Sequence, residues 1–255
     1  MTITDGEPEL AVLHEQRKAG IHYQVRSAGH AKRLYTNGVF HSQWNPRRPI
    51  AGAVWDLLSL PALYLPQARH QPLRFLLLGV GGGAVLRQLQ LLVPHARFTG
   101  VELDPVHLRL ARDYFGLSEL HAELHCADAV EWVRNYRGPR FDCVIDDLFS
   151  HQNGEPERAV KMDSAWAGAL RRLTHKSGLL VANFASSQQL RESALLRQSY
   201  PCVYQWAQPG YDNAVGACVR GSGDARYWRL ALLEHPELSA AAKRAALASR
   251  RTKLV

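Results

Sequence analysis

Residues 75–89 read FLLLGVGGGAVLRQL, an apolar run that leads through a glycine-rich loop into a stretch whose apolar residues have helical spacing. This order predicts a strand, a loop and a helix. In that context glycines let the backbone approach a ligand and present free amides at the start of the helix. We therefore predict a nucleotide-binding loop with Gly79, Gly81 and Gly83 as its contact residues. The alternative is a tight turn that serves only helix packing.

The alternation of strands and helices continues beyond this loop, which predicts a parallel sheet. We expect an α/β fold with a Rossmann-like, methyltransferase-type doubly wound sheet. The predicted strands are Phe75–Leu78, Phe98–Val101, Glu123–Cys126, Cys143–Ile145 and Leu179–Asn183, and the predicted helices are Val85–Val93, Val106–Tyr114, Val130–Tyr136 and Ser164–Leu173. An antiparallel pair, Val203–Trp206 with Ala214–Val219, is expected to close the sheet.

Shorter elements flank this domain. The apolar residues of 21–44 fall in short runs broken by turn residues, which predicts a small appendage of antiparallel strands. Ala51–Leu65 has helical spacing, with Pro61 ending or kinking the helix. The last residues are alanine-rich and basic, which fits a surface helix or a frayed end. We divide the chain into an amino-terminal segment (1–70), a Rossmann-like catalytic domain (71–235) and a basic tail (236–255).

The composition favours a cytoplasmic protein. The 255 residues carry a formal net charge of +8 and four cysteines that form no CxxC pair, which indicates reduced thiols. No apolar stretch is long enough to cross a bilayer, so we expect no membrane contact. Several arginines stand singly along predicted helices, where a solvated face explains them, and we do not expect nucleic acid as a partner.

Acidic residues follow the second and third predicted strands. Glu102 ends the second strand, where a carboxylate can accept both ribose hydroxyls of a nucleotide. Asp104, which precedes Pro105, is the better candidate for a helix cap. After the third strand, Asp128 could accept from an adenine amino group while the amide of Ala129 meets a ring nitrogen. The alternative for Asp128 is a cap of the next helix.

Two adjacent carboxylates, Asp146 and Asp147, end the fourth predicted strand. The carboxyl edge of a parallel sheet is where this architecture binds substrates. Successive side chains of a strand point to opposite sides, so only one of the two is expected to face the substrate. We choose Asp147 as the catalytic residue. The alternative for Asp147 is a cap of the following loop.

The histidines and tryptophans give weaker signals. His121 and His125 share strand parity with Glu123, but no third ligand is in view, and we predict no bound metal. Trp44 and Trp55 could line an acceptor pocket or a subunit interface, although tryptophans more often belong to the core.

Four motifs occur in a set order: residues 79–86, residues 101–104, Asp128-Ala129 and residues 141–147. Together with the β appendage they resemble the spermidine synthase (polyamine aminopropyltransferase) family over about residues 23–219. The first three motifs are shared with class I methyltransferases generally. The resemblance implies decarboxylated S-adenosylmethionine as donor, a polyamine as acceptor, acidic residues that hold and deprotonate the attacking amine, and a homodimer or tetramer assembled through the amino-terminal β region.

Two amine-binding carboxylates of that family are missing here. Gly82 stands where the family's glycine loop has an aspartate, and residues 147–150 read Asp-Leu-Phe-Ser where the family has Asp-Ser-Ser/Thr-Asp. The family's tyrosine- and glutamate-bearing segment before the first strand is also unmatched. The chain has Arg47 and Arg48 there, which would favour an acidic acceptor if they face the cleft. The loss of acids weakens both the binding of a dicationic diamine and its deprotonation.

We therefore expect a transferase that binds S-adenosylmethionine or its decarboxylated form and alkylates a small acceptor, with methyl transfer favoured over spermidine synthesis. One alternative is a polyamine aminopropyltransferase with a rearranged acceptor site. Another is a nucleoside-binding or scaffold protein without catalysis, which could assemble through the β appendage or use the basic tail near nucleic acid.

Overall fold

The amino-terminal residues form a four-stranded antiparallel sheet in the computed structural model, which describes residues 10–66, 72–152, 155–221 and 224–255. The strands pair in chain order: β1 (Leu10–Lys18), β2 (Ile21–Ala28), β3 (Ala31–Thr36) and β4 (Val39–Trp44). The antiparallel appendage predicted over 21–44 is confirmed. The first strand, β1, lies ahead of the predicted range and extends this sheet by one strand.

An eight-stranded sheet follows, and five of its strands are parallel. The remaining strands of the chain are β5 (Arg74–Leu78), β6 (Arg97–Glu102), β7 (Ala122–Cys126), β8 (Phe141–Asp146), β9 (Phe149–Gln152), β10 (Glu155–Arg158), β11 (Thr174–Phe184), β12 (Cys202–Ala207), β13 (Ala214–Val219) and β14 (Arg250–Lys253). Their order across the sheet is β14-β12-β13-β11-β8-β5-β6-β7, and β9 pairs with β10 as a separate hairpin. The five predicted parallel strands and the predicted antiparallel pair are all present.

Helices cover both faces of this sheet. In chain order they are α1 (Val54–Ser59), α2 (Ala84–Leu92), α3 (Pro105–Phe115), α4 (Ala129–Asn135), α5 (Ser164–Leu173), α6 (Ser187–Glu192), α7 (Ala225–Glu234) and α8 (Ala240–Ala248). The chain continues from α1 into a 3-10 turn, Leu60–Tyr64, that carries Pro61. Pro61 therefore ends the α-helix, as its missing N–H predicts.

The strand β5 explains why the stretch that begins at Phe75 is apolar without interruption. Phe75 and Leu77 pack into the core on one face of the sheet, and Leu76 and Leu78 pack into the core on the other face. All four side chains are fully buried. A parallel strand covered by helices on both faces requires such a continuous run.

The last residues of the chain belong to the central sheet. The helix α8 is one of the two forms expected for the tail, but the chain then forms β14, which pairs antiparallel with β12. The guanidinium of Arg251 lies 3.8 Å from the ring centroid of Trp228. The alternative of a frayed end is therefore wrong, because the strand and this ring contact fix residues 250–253.

The four cysteines all lie in the described residues and are free thiols. Burial raises the pKa of the Cys143 and Cys218 thiols well above the usual range, so both are inert core residues. In the described parts of the chain, every helix is too short or too polar to cross a membrane.

Candidate functional site

A cleft of about 340 Å³ opens at the carboxyl ends of the parallel strands. The loops after β5, β6, β7, β8 and β11 line it from the sheet, and β4 and α1 line it from the opposite side. The order of the parallel strands reverses between β5 and β8, which are neighbours at the centre of the sheet. A crevice at such a reversal is the usual ligand site of an open α/β sheet.

The three glycines predicted to contact a ligand all have left-handed backbone conformations. The φ angle is +87° at Gly79, +53° at Gly81 and +81° at Gly83. A Cβ at position 79 would lie 2.3 Å from the backbone oxygen of Asp147, so the loop after β5 packs directly on the loop after β8. Gly79 and Gly81 line the cleft, whereas Gly83 packs against Leu117. Ligand contact stays a prediction, and the cleft itself does not reach Gly83.

Four amides of this loop are bonded within the protein, and one of them, the amide of Gly83, donates to the carbonyl oxygen of Val80 at 2.8 Å. The amides of Val80 and Gly81 donate to Oε2 of Glu102 at 3.0 and 2.8 Å. The amide of Gly79 donates to the carbonyl oxygen of Val101 at 2.9 Å. The expectation of free amides was therefore wrong at these positions. A buried amide needs a hydrogen-bond acceptor, and here the protein itself supplies one.

Glu102 ends β6 and is 9% exposed. Its Oε2 accepts the loop amides, while Oε1 accepts from the amide of Asp104 at 3.0 Å and lies 3.8 Å from Nδ1 of His107. Burial raises the pKa of Glu102, but the contacts with His107 and the backbone amides outweigh burial and lower the pKa below its ordinary value. Glu102 is thus an ionised carboxylate at the wall of the cleft. Its contact with a ribose stays a prediction.

Two acidic residues at strand ends cap helices. Asp104 accepts from the amide of Val106 at 2.7 Å at the start of α3, as predicted. Asp128 accepts from the amide of Glu131 at 2.8 Å at the start of α4, so the alternative role considered for Asp128 is confirmed. Asp128 and Ala129 also line the cleft, and their contact with an adenine ring stays a prediction.

Asp146 and Asp147 point in opposite directions at the end of β8. Asp146 is fully buried and accepts from Nη2 of Arg158 and Nε1 of Trp166, both at 2.8 Å. Asp147 lines the cleft and accepts from Nδ2 of Asn183 at 2.8 Å. The strand alternation therefore turns only Asp147 toward the cleft, as predicted. Its catalytic role stays a prediction.

The surroundings of Asp147 shift its protonation. Burial is the main cause that raises the pKa of Asp147 to about 6, the hydrogen bond from Asn183 opposes this rise, and the negative charge of Asp146 adds to it. A carboxyl group with this pKa is mostly ionised at neutral pH and takes up a proton more readily than an exposed aspartate. Both properties suit a general base.

Known proteins are similar to this chain in sequence. The family model described as "Methyltransferase domain" matches residues 75–171. A polyamine aminopropyltransferase of Vibrio vulnificus is 32% identical over 144 residues, which cover 54% of this chain and 47% of that protein. An eEF1A lysine and N-terminal methyltransferase of Danio rerio is 30% identical over 167 residues, which cover 61% of this chain and 24% of that protein. The chain thus spans less than half the length of these two curated relatives.

A solved structure of spermidine synthase from Thermotoga maritima has the same fold. It matches with a TM-score of 0.65 at 15% identity, over 89% of this chain and 78% of that chain. The chain therefore has the fold of spermidine synthase and of the methyltransferases. The resemblance stated from the motifs is therefore confirmed, and so is the fold class.

Gly82 is buried beneath the amino-terminal sheet. A Cβ at position 82 would lie 2.8 Å from the Cβ of Ser42 on β4 and 3.3 Å from the ring of Phe115. The loop therefore has no room for the aspartate that the family carries at this position.

Two arginines and two tryptophans of the amino-terminal segment were considered for the acceptor side. Arg47 and Arg48 are exposed and do not line the cleft, so the condition for an acidic acceptor is not met. Trp55 lines the cleft. Trp44 is buried, and the guanidinium of Arg87 lies 5.2 Å from its ring centroid.

The histidines on β7 do not gather further ligands. His125 lies 3.1 Å from the carboxylate of Glu123 on this edge strand. Among the described residues, no group of three or more histidine, cysteine, aspartate or glutamate side chains is placed to hold a metal ion.

Five polar residues of the cleft were not predicted: His41, His107, Asn183, Tyr211 and Asn213. Nδ2 of Asn213 donates to Oδ1 of Asn183 at 3.2 Å, and Asn183 donates in turn to Asp147, so two amides orient the carboxylate. A polar residue at the end of the fifth apolar strand was an available signal for Asn183. His107 and Asn213 gave no such signal, because their partners come from distant segments.

Proposed function

We propose that this chain transfers a methyl group from S-adenosylmethionine to a small acceptor, with Asp147 as the general base. The observation that carries the proposal is the position of Asp147. It is the member of the carboxylate pair that faces the cleft, and it lies beside the glycine loop at the reversal point of the sheet. A nucleophile held there would meet a donor held by the loops after β5, β6 and β7.

The donor side fits an adenosyl sulfonium. Glu102 offers an ionised carboxylate for the ribose hydroxyls, and Asp128 with Ala129 borders the space for the adenine ring. The matched methyltransferase domain contains Gly79, Gly81, Gly83 and these three residues. A cleft of about 340 Å³ has the size of a small-molecule site.

Methyl transfer requires the protein mainly to position the donor and the acceptor and to supply a base. The nucleophilic atom of the acceptor forms a bond to the methyl carbon, the carbon–sulfur bond breaks, and its electron pair returns to sulfur. The proton lost by the nucleophile passes to Asp147 and then to water. A base placed in this way contributes roughly 100-fold to 10,000-fold to a rate.

Aminopropyl transfer is the second candidate, and the similarity to the Vibrio vulnificus aminopropyltransferase favours it. The donor would then be decarboxylated S-adenosylmethionine, whose aminopropyl chain ends in an ammonium group. The closed space at Gly82 weighs against it, since the loop provides no carboxylate for that ammonium.

The nucleoside product distinguishes methyl transfer from aminopropyl transfer. The chain is incubated with each donor and a mixture of small amines, alcohols and acids, and the nucleoside product is measured by mass spectrometry. We expect S-adenosylhomocysteine from S-adenosylmethionine, and a loss of at least about 100-fold in rate for Asp147→Asn. Methylthioadenosine that forms only with decarboxylated donor and putrescine would instead establish aminopropyl transfer. Failure of both donors to bind in calorimetry would refute the transferase assignment.

We also propose that the chain forms a homo-oligomer through its amino-terminal sheet. Val12 and Leu13 on the edge strand β1 are 50% and 43% exposed, which supports a contact there. Size-exclusion chromatography of the chain and of Leu13→Arg tests this. A monomeric elution volume for the unchanged chain would refute it.

A further inference from the structure

The cleft has two halves of different chemistry. The donor half contains the glycine loop, Glu102 and Asp128. The opposite half, called here the acceptor half, is formed by Phe40, Trp55, Asp147, Phe149, Asn183, Tyr211 and Asn213. Its residues come from β4, α1, the loop after β8, the end of β11 and the segment before β13. The chemistry of these side chains limits what the acceptor half can bind.

The charge of the cleft excludes an anionic acceptor. Within the described residues, the lining of the cleft includes Glu102, Asp128 and Asp147, neither a lysine nor an arginine, and two histidines, His41 and His107, of which His107 lies 3.8 Å from Glu102. A carboxylate or phosphate bound beside Asp147 would be desolvated next to a like charge, while the guanidinium of Arg33 lies outside the lining, 5.7 Å from the ring centroid of Phe40. A neutral or cationic group avoids this cost.

A second ammonium group would find no acid in the acceptor half. Two carboxylates outside the lining are already engaged: Asp146 is buried against Arg158, and Asp56 is buried at the start of α1. Oδ2 of Asp56 accepts three backbone amides at 2.7 to 3.2 Å, and Oδ1 accepts from Gln88 at 2.6 Å. Asp147 is therefore the carboxylate that the described acceptor half offers to a ligand, and it can hold a single amino group.

The rest of the acceptor half is aromatic. The rings of Phe40 and Trp55 meet edge to face with their centroids 5.1 Å apart. Phe40 is 38% exposed and Tyr211 is 37% exposed, so both still have surface that a ligand can cover. Aromatic faces bind flat apolar groups and also attract an adjacent ammonium.

We infer that the acceptor is a monoamine whose amino group is attached to an apolar, flat body. The amino group binds Asp147, which the two amides of Asn183 and Asn213 orient, and the body packs on the exposed surface of Phe40 and Tyr211. The inference rests on the proposed function, because it describes the acceptor of that same reaction. It excludes the diamine that a spermidine synthase would need.

Three probes test the inference: phenethylamine, putrescine and phenylacetate. Each is titrated by calorimetry at pH 7.5 into the chain saturated with S-adenosylhomocysteine. We expect phenethylamine to bind at least about tenfold more tightly than either of the others. Phe40→Ala should weaken phenethylamine roughly 3-fold to 30-fold and leave the affinity for S-adenosylhomocysteine unchanged. Leu230→Ala, which removes a 47% exposed leucine on α7 outside the cleft, is the matched control and should change neither.

The outcomes separate this inference from the proposed function. If S-adenosylhomocysteine and methylthioadenosine both fail to bind, the proposed function is refuted. If the nucleoside binds but putrescine or phenylacetate binds as tightly as phenethylamine, or phenethylamine does not bind, only the acceptor class is refuted. An unchanged affinity of Phe40→Ala for phenethylamine would also refute it, because the body of the amine would then not pack on Phe40.

Discussion

The substitution Asp147→Asn should stabilise the folded chain while it removes the proposed base. Burial raises the pKa of this carboxyl group from 3.8 to about 6, so the native environment disfavours its ionised form. An asparagine carries no charge, and its carbonyl oxygen can still accept from Asn183, which donates to Asp147 at 2.8 Å. The variant therefore loses the unfavourable charge and keeps the hydrogen bond.

The sign and size follow from proton linkage. A carboxyl group whose pKa is higher in the folded state than in the unfolded state lowers the free energy of unfolding wherever it is ionised. Well below pH 3.8 both states of Asp147 are protonated and the penalty is absent; it grows as the pH rises from about 3.8 to about 6 and is constant above that. The difference between the two pKa values corresponds to about 3 kcal/mol as an upper estimate. Asp147→Asn should unfold at clearly higher urea concentration than the unchanged chain at pH 8, and the gain should shrink to about 0.5 kcal/mol or less at pH 4.

Urea unfolding, followed by tryptophan fluorescence at several pH values between 4 and 8, measures this difference. Asp113→Asn, which removes an exposed carboxyl group on α3, is the matched control and should unfold like the unchanged chain at every pH. A gain for Asp147→Asn that is equal at pH 4 and pH 8 would refute the reasoning, since it would not arise from ionisation. A loss of stability at pH 8 would show that the native fold needs the charge.

Three further predictions concern other contacts of the site. Gly82→Ala should lower the free energy of unfolding by about 1 to 3 kcal/mol, because a Cβ at position 82 would lie 2.8 Å from the Cβ of Ser42. The second substitution Ser42→Gly should restore part of this loss. Urea unfolding in which the two substitutions change the free energy of unfolding additively would contradict the prediction. Arg158→Met should lower the free energy of unfolding by about 3 to 5 kcal/mol, because it leaves the buried carboxylate of Asp146 without its ion-pair partner. Chemical denaturation measures this loss, and the double variant with Asp146→Asn should recover part of it. Glu102→Gln should weaken S-adenosylhomocysteine binding about 10-fold to 100-fold in calorimetry, and equal affinity would exclude Glu102 as the ribose ligand.

The donor half of the cleft was largely predictable because it depends on local sequence. An apolar strand that ends in glycine or acid places that residue at the sheet edge, whatever the rest of the chain does. Strand alternation was sufficient to choose Asp147 over Asp146, and Pro105 was sufficient to identify Asp104 as a cap. The contacts of Glu102 with the loop amides were not predictable, since they depend on the distance between two loops.

The last strand, β14, could not be predicted from its own sequence. Residues 250–253 read Arg-Arg-Thr-Lys, which has no apolar alternation to indicate a strand. A polar sequence is nevertheless typical of an edge strand, where charges discourage further pairing. The contact of Arg251 with Trp228 comes from tertiary structure. Deletion of 236–255 would therefore remove part of the central sheet, and charge reversal at the exposed Arg244 is the cleaner test of nucleic-acid binding by this region.

The division of the cleft also explains why the relatives include both aminopropyl and methyl transferases. The matched methyltransferase domain, residues 75–171, contains the predicted donor residues and Asp147. The aromatic wall of the acceptor half lies partly before this region, at Phe40 and Trp55, and its orienting amides lie after it, at Asn183 and Asn213. Two enzymes can therefore share the matched region and differ in acceptor. The acceptor of this chain has to be sought through the residues outside that region, because those side chains meet only in the folded structure.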